Sequence, residues 1–183
     1  MKPVICEYSS SDKQEVKSVI LNTLKNFGFD YNPLYDFDLD DPYKHYIKNG
    51  GMFYVLKVEN KIVGTVAVIN KGKTAELKRL YVDKNYQGKK FGSMLIDKAI
   101  QFCKDKGFTK LEFETNKKFT KAYLLYQRRG FKTIREDDRS YYMEKELIWK
   151  KIDDFGLKQK ILVGVGILLP GKGGWSYLYI YYI

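Results

Sequence analysis

The sequence has one histidine and two cysteines among 183 residues, and each scarcity removes a class of protein. His45 cannot build a multi-histidine metal site alone; it serves either as a lone base or as a packing residue. Cys6 and Cys103 lie far apart and show no metal-ligand spacing, so neither a zinc site nor a disulfide framework is expected. A reducing, cytoplasmic setting is the expectation. The opening MKPVICEYSSS holds an apolar run too short for a signal peptide. Acidic residues are also few, 22 against 33 Lys and Arg, which leaves a formal net charge of +11. That excess attracts anions such as nucleotide-like cofactors, nucleic acid or anionic lipid, and a lysine-rich solvated surface produces it equally well.

What is present reads as globular. With 44% hydrophobic and 30% charged residues the chain suits one domain with a real core, much of it aromatic given 16 Tyr and 11 Phe. Pro3 to Tyr8 reads as a strand. A helix follows, with Ser10 or Ser11 as N-cap, Val16, Val19, Ile20, Leu24 and Phe27 as its apolar stripe, and Gly28 as its stop. FDYNPLYDFDLDDPYKHYIKNGG reads as a loop with a short helix near 42–48. MFYVLKVE and KIVGTVAVIN flank a tight turn at Asn60-Lys61, and TAELKRLYV alternates, with Ala75, Leu77, Arg79 and Tyr81 on one face. Phe91, Met94, Leu95, Ala99, Phe102 and Cys103 recur at helical spacing up to Gly107. TKLEFET is then a strand, FTKAYLLYQRR a helix, and FKTIRE with RSYYMEKEL a hairpin. The order βα(α)βββαβαββ predicts an α+β fold: a mixed, mostly antiparallel sheet with one central parallel strand pair, flanked by helices.

The domain is expected over residues 1–149, with an apolar extension over 150–183. WKKIDDFGLKQK reads as a polar linker. ILVGVGILLPGKGGWSYLYIYYI is long enough to span a membrane, but Pro170-Gly171 and Gly173-Gly174 would break a helix in its middle. A β-hairpin that covers the sheet or pairs two subunits into a homodimer fits better, and membrane association is not expected.

Residues 85–96, NYQGKKFGSMLI, stand where strand gives way to helix. The amides of Gly88, Lys89, Lys90, Phe91 and Gly92 then fall on a loop and first helical turn, where backbone N–H groups lack intrahelical partners and the helix dipole is positive. A phosphate satisfies both conditions. The stretch lacks the GxxxxGK[ST] spacing of Walker A and the GxGxxG of a Rossmann fingerprint. Two glycines that merely shape a turn remain the plain alternative.

LYVDKNYQGKKFGSMLI resembles the acetyl-CoA-binding core of the GNAT superfamily of N-acetyltransferases, whose Q/R-x-x-G-x-G/A motif follows a fourth strand and opens a helix. AYLLYQRRGF resembles the family's later motif, a helical tyrosine shortly before Gly-Phe. The resemblance covers roughly residues 3–147. It implies a GNAT-like three-layer fold and acetyl transfer to a primary amine of a small molecule or peptide, without a metal. Gln87, Gly88, Lys89, Lys90, Phe91, Gly92 and Ser93 would hold the pyrophosphate, and Leu80, Tyr81 and Val82 would meet pantetheine and the acetyl oxygen. Tyr126 would be the general acid for the CoA sulfur. Glu76, six residues before Val82, would be a base, directly or through water, or else a strand carboxylate paired with Lys78. Asn116 matches a pantetheine-contacting asparagine in type, although its separation from Tyr126 is longer than usual. Lys90 departs from the family's middle glycine, and its amide stays usable where φ is negative.

Asp30, Asp36, Asp38, Asp40 and Asp41 make one loop acidic within a basic protein, which favours a cationic amine as acceptor; ordinary loop solvation explains the same residues equally well. A non-catalytic CoA-binding module of the same fold is the alternative function. No groove-reading helix or RNA-binding signature is present, so nucleic acid is not an expected partner.

Overall fold

The computed structural model describes residues 2–147 in full and residues 164–171 and 174–181 as backbone strands. The chain separates into two compact units, Met1–Ile148 and Trp149–Ile183.

In the first unit, β1 (Val4–Glu7) leads into α1 (Lys13–Lys25), then a short α2 (Pro33–Asp36), β2 (Met52–Val58), β3 (Lys61–Lys71) and β4 (Thr74–Val82). After these come α3 (Phe91–Asp105), β5 (Lys110–Asn116), α4 (Thr120–Arg128), β6 (Lys132–Glu136) and β7 (Ser140–Glu146). The seven strands form one sheet in the order β1-β2-β3-β4-β5-β7-β6. Only β4 and β5 pair in parallel, as the strand–helix–strand connection through α3 requires.

Apolar periodicity places a core on each face of the sheet. On one, Leu95, Ile96, Ala99 and Cys103 of α3 pack with Leu56, Val66, Leu77, Leu111 and Tyr126. On the other, Val16, Val19, Ile20 and Leu24 of α1 pack with Phe53, Ile62, Tyr46 and Leu39. Phe91 and Cys103 are buried as their spacing predicts, whereas Met94 and Phe102 are half-buried at the stripe's edge.

Four local details differ from the sequence expectation. Helix α1 is capped by Asp12 after a 3-10 turn at Ser10–Asp12, not by Ser10 or Ser11. Asp12 accepts the Ser9 amide at 3.0 Å and Lys57 Nζ at 2.9 Å, an ion pair with β2, 45 residues away, that no local signal reveals. The β2–β3 turn is centred on Glu59-Asn60, one residue early, because both adopt positive φ (51° and 65°) and the chain closes a two-residue hairpin around them. The acidic loop carries more structure than expected: α2, a 3-10 turn at Phe37–Asp40 and a π turn at Tyr43–Ile47. Finally, β4 bulges where Val66 faces both Arg79 and Leu80, between the pairs Ala67–Lys78 and Thr65–Tyr81. Arg79 takes φ +53° there, so the alternation changes phase. Leu80 and Val82 join Leu77 on the α3 side, and Tyr81 faces the α1 side with Arg79's carboxylate partners.

In the second unit, β8 (Gly164–Gly171) and β9 (Gly174–Tyr181) run antiparallel with Gly171 opposite Gly174. The expected polar linker lies outside the described residues, as do the side chains on which dimer pairing or membrane association would turn. Among the described residues no helix is long and apolar enough to cross a membrane.

Candidate active site

Parallel pairing between β4 and β5 lasts for three residue pairs, Thr74–Lys110, Ala75–Leu111 and Glu76–Glu112, and then stops. Beyond it β4 remains paired with β3, and β5 with β7, so their facing edges carry unpaired backbone groups toward each other. A cavity of about 1090 Å³ fills the divergence, walled by Leu77 to Val82 from one strand and Phe113 to Asn116 from the other. It is lined from both sides of the sheet, by Thr23 and Leu24 of α1 and by Leu125 and Tyr126 of α4.

One end of the cavity meets the start of α3. Gln87, Gly88, Lys90, Phe91, Gly92 and Ser93 all line it, as do Leu80, Tyr81 and Val82. The first intrahelical bond of α3 runs from the Met94 amide to the Lys90 carbonyl at 3.0 Å, which leaves the amides of Phe91, Gly92 and Ser93 as free donors at the positive end of the helix. Gln87 Nε2 donates to the Val82 carbonyl at 3.1 Å and so ties this loop to the end of β4. A Cβ on Gly92 would sit 3.3 Å from Leu125 Cδ2, so glycine lets α3 and α4 approach here. Lys89 does not line the cavity; its ammonium lies 5.2 Å over the Tyr86 ring. Lys90 has φ +63° and ψ +11°, left-handed rather than the negative φ expected, because the loop turns here as sharply as a glycine would allow.

Tyr126 on α4 is 5% exposed and also lines the cavity. Its ring packs 4.4 Å from Phe113 and 6.0 Å from Phe131. Its hydroxyl bonds no other described residue, and no buried side-chain polar atom among the described residues lacks a partner, so the small exposed part of Tyr126 is its oxygen, facing the cavity. Burial, helped by nearby Tyr81, pushes the phenol well above its ordinary value and holds the proton on it.

Residues 20–131 match the acetyltransferase (GNAT) family. The chain belongs to this family. An uncharacterized N-acetyltransferase of Schizosaccharomyces pombe is 31% identical over 126 residues, 67% of this chain and 77% of that protein. Human N-acetyltransferase 8B is 31% identical over 102 residues, 52% of this chain. The chain spans under half the length of the first curated relatives it matches: 45% of the human protein and 37% of N-acetylaspartate synthetase from Xenopus tropicalis. A GNAT acetyltransferase from Staphylococcus aureus MU50 superposes with a TM-score of 0.75 at 29% identity, covering 80% of this chain and 100% of its own. The PaiA N-acetyltransferase of Thermoplasma acidophilum, solved in complex with coenzyme A, shares the fold at 20% identity with a TM-score of 0.69, over 80% of this chain and 99% of its own.

The other end of the GNAT cavity is built on charge. Arg79, with a side chain 9% exposed, donates from Nη1 to Asp36 at 2.8 Å, from Nε to Asp38 at 2.9 Å, from Nη2 to the Tyr35 carbonyl at 2.8 Å, and again from Nη2 to Asp38. Tyr46 donates to the same Asp38, and the Asn32 amide donates to Asp36 at 2.9 Å. The cluster fastens the acidic loop of the GNAT domain to β4, and its desolvated carboxylates hold the guanidinium fully charged. Phe27, Phe29 and Phe119 form an aromatic wall beside it, with Phe27 and Phe119 centroids 4.7 Å apart.

Glu76 does not line the cavity. Lys71 lies 2.5 Å from one carboxylate oxygen and Lys78 2.6 Å from the other. Burial pushes its carboxyl up, but the two lysines outweigh burial and hold it below the ordinary carboxylate range. Asn116 does line the cavity, and its Oδ1 also accepts the Lys118 amide at 3.0 Å in the turn that ends β5. Among the cavity-lining residues that went unnoticed in the sequence as site groups are Arg79, read as one member of an alternating strand, Glu114 on β5, and Ser140 at the start of β7.

Proposed function

We propose that this chain is an acetyl-CoA-dependent N-acetyltransferase that moves an acetyl group to a primary amine by direct attack on the thioester. The observation that carries this reading is the single cavity joining the free amides of α3, the parted edges of β4 and β5, and the Tyr126 hydroxyl. Free amides at a helix start suit a diphosphate, and two open strand edges suit an arm that bears amides. Acetyl-CoA has both parts, and when bound it would supply the activated acyl group. The amides of Phe91, Gly92 and Ser93, with Gly88 and the Lys90 charge, bind the diphosphate. The backbone of Leu80, Tyr81 and Val82 orients the arm and polarises the acetyl oxygen, and Asn116 stands beside the arm on β5.

Tyr126 donates a hydrogen bond to the sulfur as the carbon–sulfur bond breaks. A reference thiol has a pKa of about 8.5, below that of a buried phenol, so full proton transfer to the thiolate runs uphill. The hydroxyl therefore works chiefly by stabilising charge on the sulfur as it develops. The acceptor enters beside the acidic loop, whose local field favours a cationic amine.

The test is release of free thiol from acetyl-CoA over a panel of primary amines. Tyr126→Phe should slow it by about tenfold or more, while coenzyme A still raises the thermal midpoint. The second reading, a CoA-binding module without turnover, is favoured by one observation: Lys90 in a left-handed conformation at a glycine position. Thermal stabilisation by coenzyme A with no amine acetylated would select it.

A further inference from the structure

A second cavity, of about 360 Å³, opens where the turn that ends β5 meets the turn between β6 and β7. Phe29, Asn116, Lys117, Lys118, Asp138 and Arg139 line it, and Phe29 and Asn116 also line the main cavity, so the two adjoin. Its backbone is fixed. The Lys117 amide donates to the Arg139 carbonyl at 2.8 Å and joins the two turns, while the Asp137 carboxylate accepts the amides of Arg139 and Ser140 at 2.9 and 2.8 Å. The Asn116 side-chain oxygen accepts the Lys118 amide at 3.0 Å, which leaves Nδ2 with no bond to a described residue. Three cations and one carboxylate surround this space. Lys118 Nζ donates to the Phe27 carbonyl at 3.2 Å and lies 4.7 Å over the Phe29 ring, so it is held in place without being neutralised. Lys117 lies 3.3 Å from Glu136 and shares its charge there. The Arg139 guanidinium is exposed and makes no hydrogen bond or ion pair with a described residue, Asp138 beside it included. The main cavity carries the opposite sign: Asp30, next in the chain to Phe29, lines it and pairs with no cation among the described residues.

Resting on the reading above, we infer that the acceptor is an amine that also bears a carboxylate, as an amino acid does, and that the second cavity receives this carboxylate. Arg139 supplies a fork of donors that matches the two carboxylate oxygens. Asn116 Nδ2 adds a neutral donor at the boundary between the cavities, and Lys118 adds charge across the Phe29 ring. The ammonium end of the same molecule stays in the main cavity, on the Asp30 side of Phe29, so each pole of the acceptor meets the opposite sign. A plain polyamine fits worse, because its second cation would face Lys118 and Arg139, and like charges brought together select against such a ligand. The size of the positive excess also selects. Asp138 stands on the rim and Glu136 draws on Lys117, so what is left suits one negative charge better than the two of a phosphate.

The experiment offers the wild type a panel of α-, β- and γ-amino acids, each as the free acid, as its carboxamide and as the matching aminophosphonate, with acetyl-CoA as donor. The ratio of kcat/KM for acid over carboxamide is read, not either rate, because amidation also alters the basicity of the amine. For the best amino acid the wild type should favour the free acid by about tenfold or more, through KM rather than kcat. Arg139→Gln should lower that ratio by about fivefold or more, and Lys118→Met by less. Arg135→Gln removes the same charge outside both cavities, where the guanidinium stacks 3.7 Å over the Tyr142 ring, and should leave the ratio as it is. Arg135, Lys118 and Arg139 are all exposed, so the fold should survive, and coenzyme A should raise the thermal midpoint equally in every variant. A wild type that acetylates carboxamides as well as free acids overturns the inference and leaves the transferase reading standing. Equal falls in Arg139→Gln and Arg135→Gln overturn it in favour of the general positive field, and phosphonates preferred over acids overturn the carboxylate assignment. A wild type that binds coenzyme A but acetylates no amine overturns the transferase reading itself and this inference with it.

Discussion

Replacing Arg79 with methionine tests whether the ion cluster is what holds the acidic loop in place. Methionine keeps the length and volume of the stem and meets the same left-handed backbone, so the comparison isolates the charge. In the native protein the side chains of Arg79, Asp36 and Asp38 are 9%, 7% and 11% exposed. Removing the guanidinium leaves two buried carboxylates, one keeping the Asn32 amide and the other the Tyr46 hydroxyl. Breaking a buried pair from one side costs about 3–5 kcal/mol, which for a chain of this size lowers the thermal midpoint by about 10 °C. Urea unfolding without ligand measures it. Adding Asp36→Asn and Asp38→Asn should restore more than half of the loss, since no uncompensated charge then remains. Coenzyme A affinity should hold while the acceptor KM rises, as the proposed place of the loop beside the acceptor requires. A loss under about 1 kcal/mol, or a triple variant no better than the single one, would refute the view that the cluster is a clamp.

Two further outcomes follow from other parts of the chain. Lys90→Gly relieves a left-handed backbone that costs a lysine about 1 kcal/mol, so the thermal midpoint should rise by about 2–4 °C and coenzyme A should bind at least as tightly; a fall in both would mean that the Lys90 charge outweighs the strain. Cys103 is fully buried, and burial pushes its thiol up to about 12, so a thiol reagent at pH 8 should label only Cys6 in the native protein and both cysteines in denaturant.

Much of the architecture could be read from periodicity. The run Phe91 to Cys103 repeats at helical spacing, and a strand on either side of it forces the parallel pair that later opens into the cavity. The glycine stretch was legible because free amides, dipole and charge all follow from a helix beginning at Phe91. The charged end of the cavity was less legible, for a physical reason. Arg79 reaches partners 41 and 43 residues away, and nothing local marks an arginine for positive φ or a strand for a bulge. Without the bulge, strict alternation puts Leu77 and Tyr81 on one face, when in fact they pack in different cores. Glu114 was hidden likewise: in the sequence it is one polar residue in an alternating strand, and only the end of pairing at Glu112 gives it a cavity to face.

The early parting of β4 and β5 has a kinetic corollary. With donor and acceptor bound as proposed, one against the start of α3 and the other against the acidic loop at the far end of the same cavity, neither must depart before the other arrives. Initial-rate lines plotted for the two substrates should then cross instead of running parallel, the behaviour of an enzyme that assembles both reactants at once and stores no acyl group on itself.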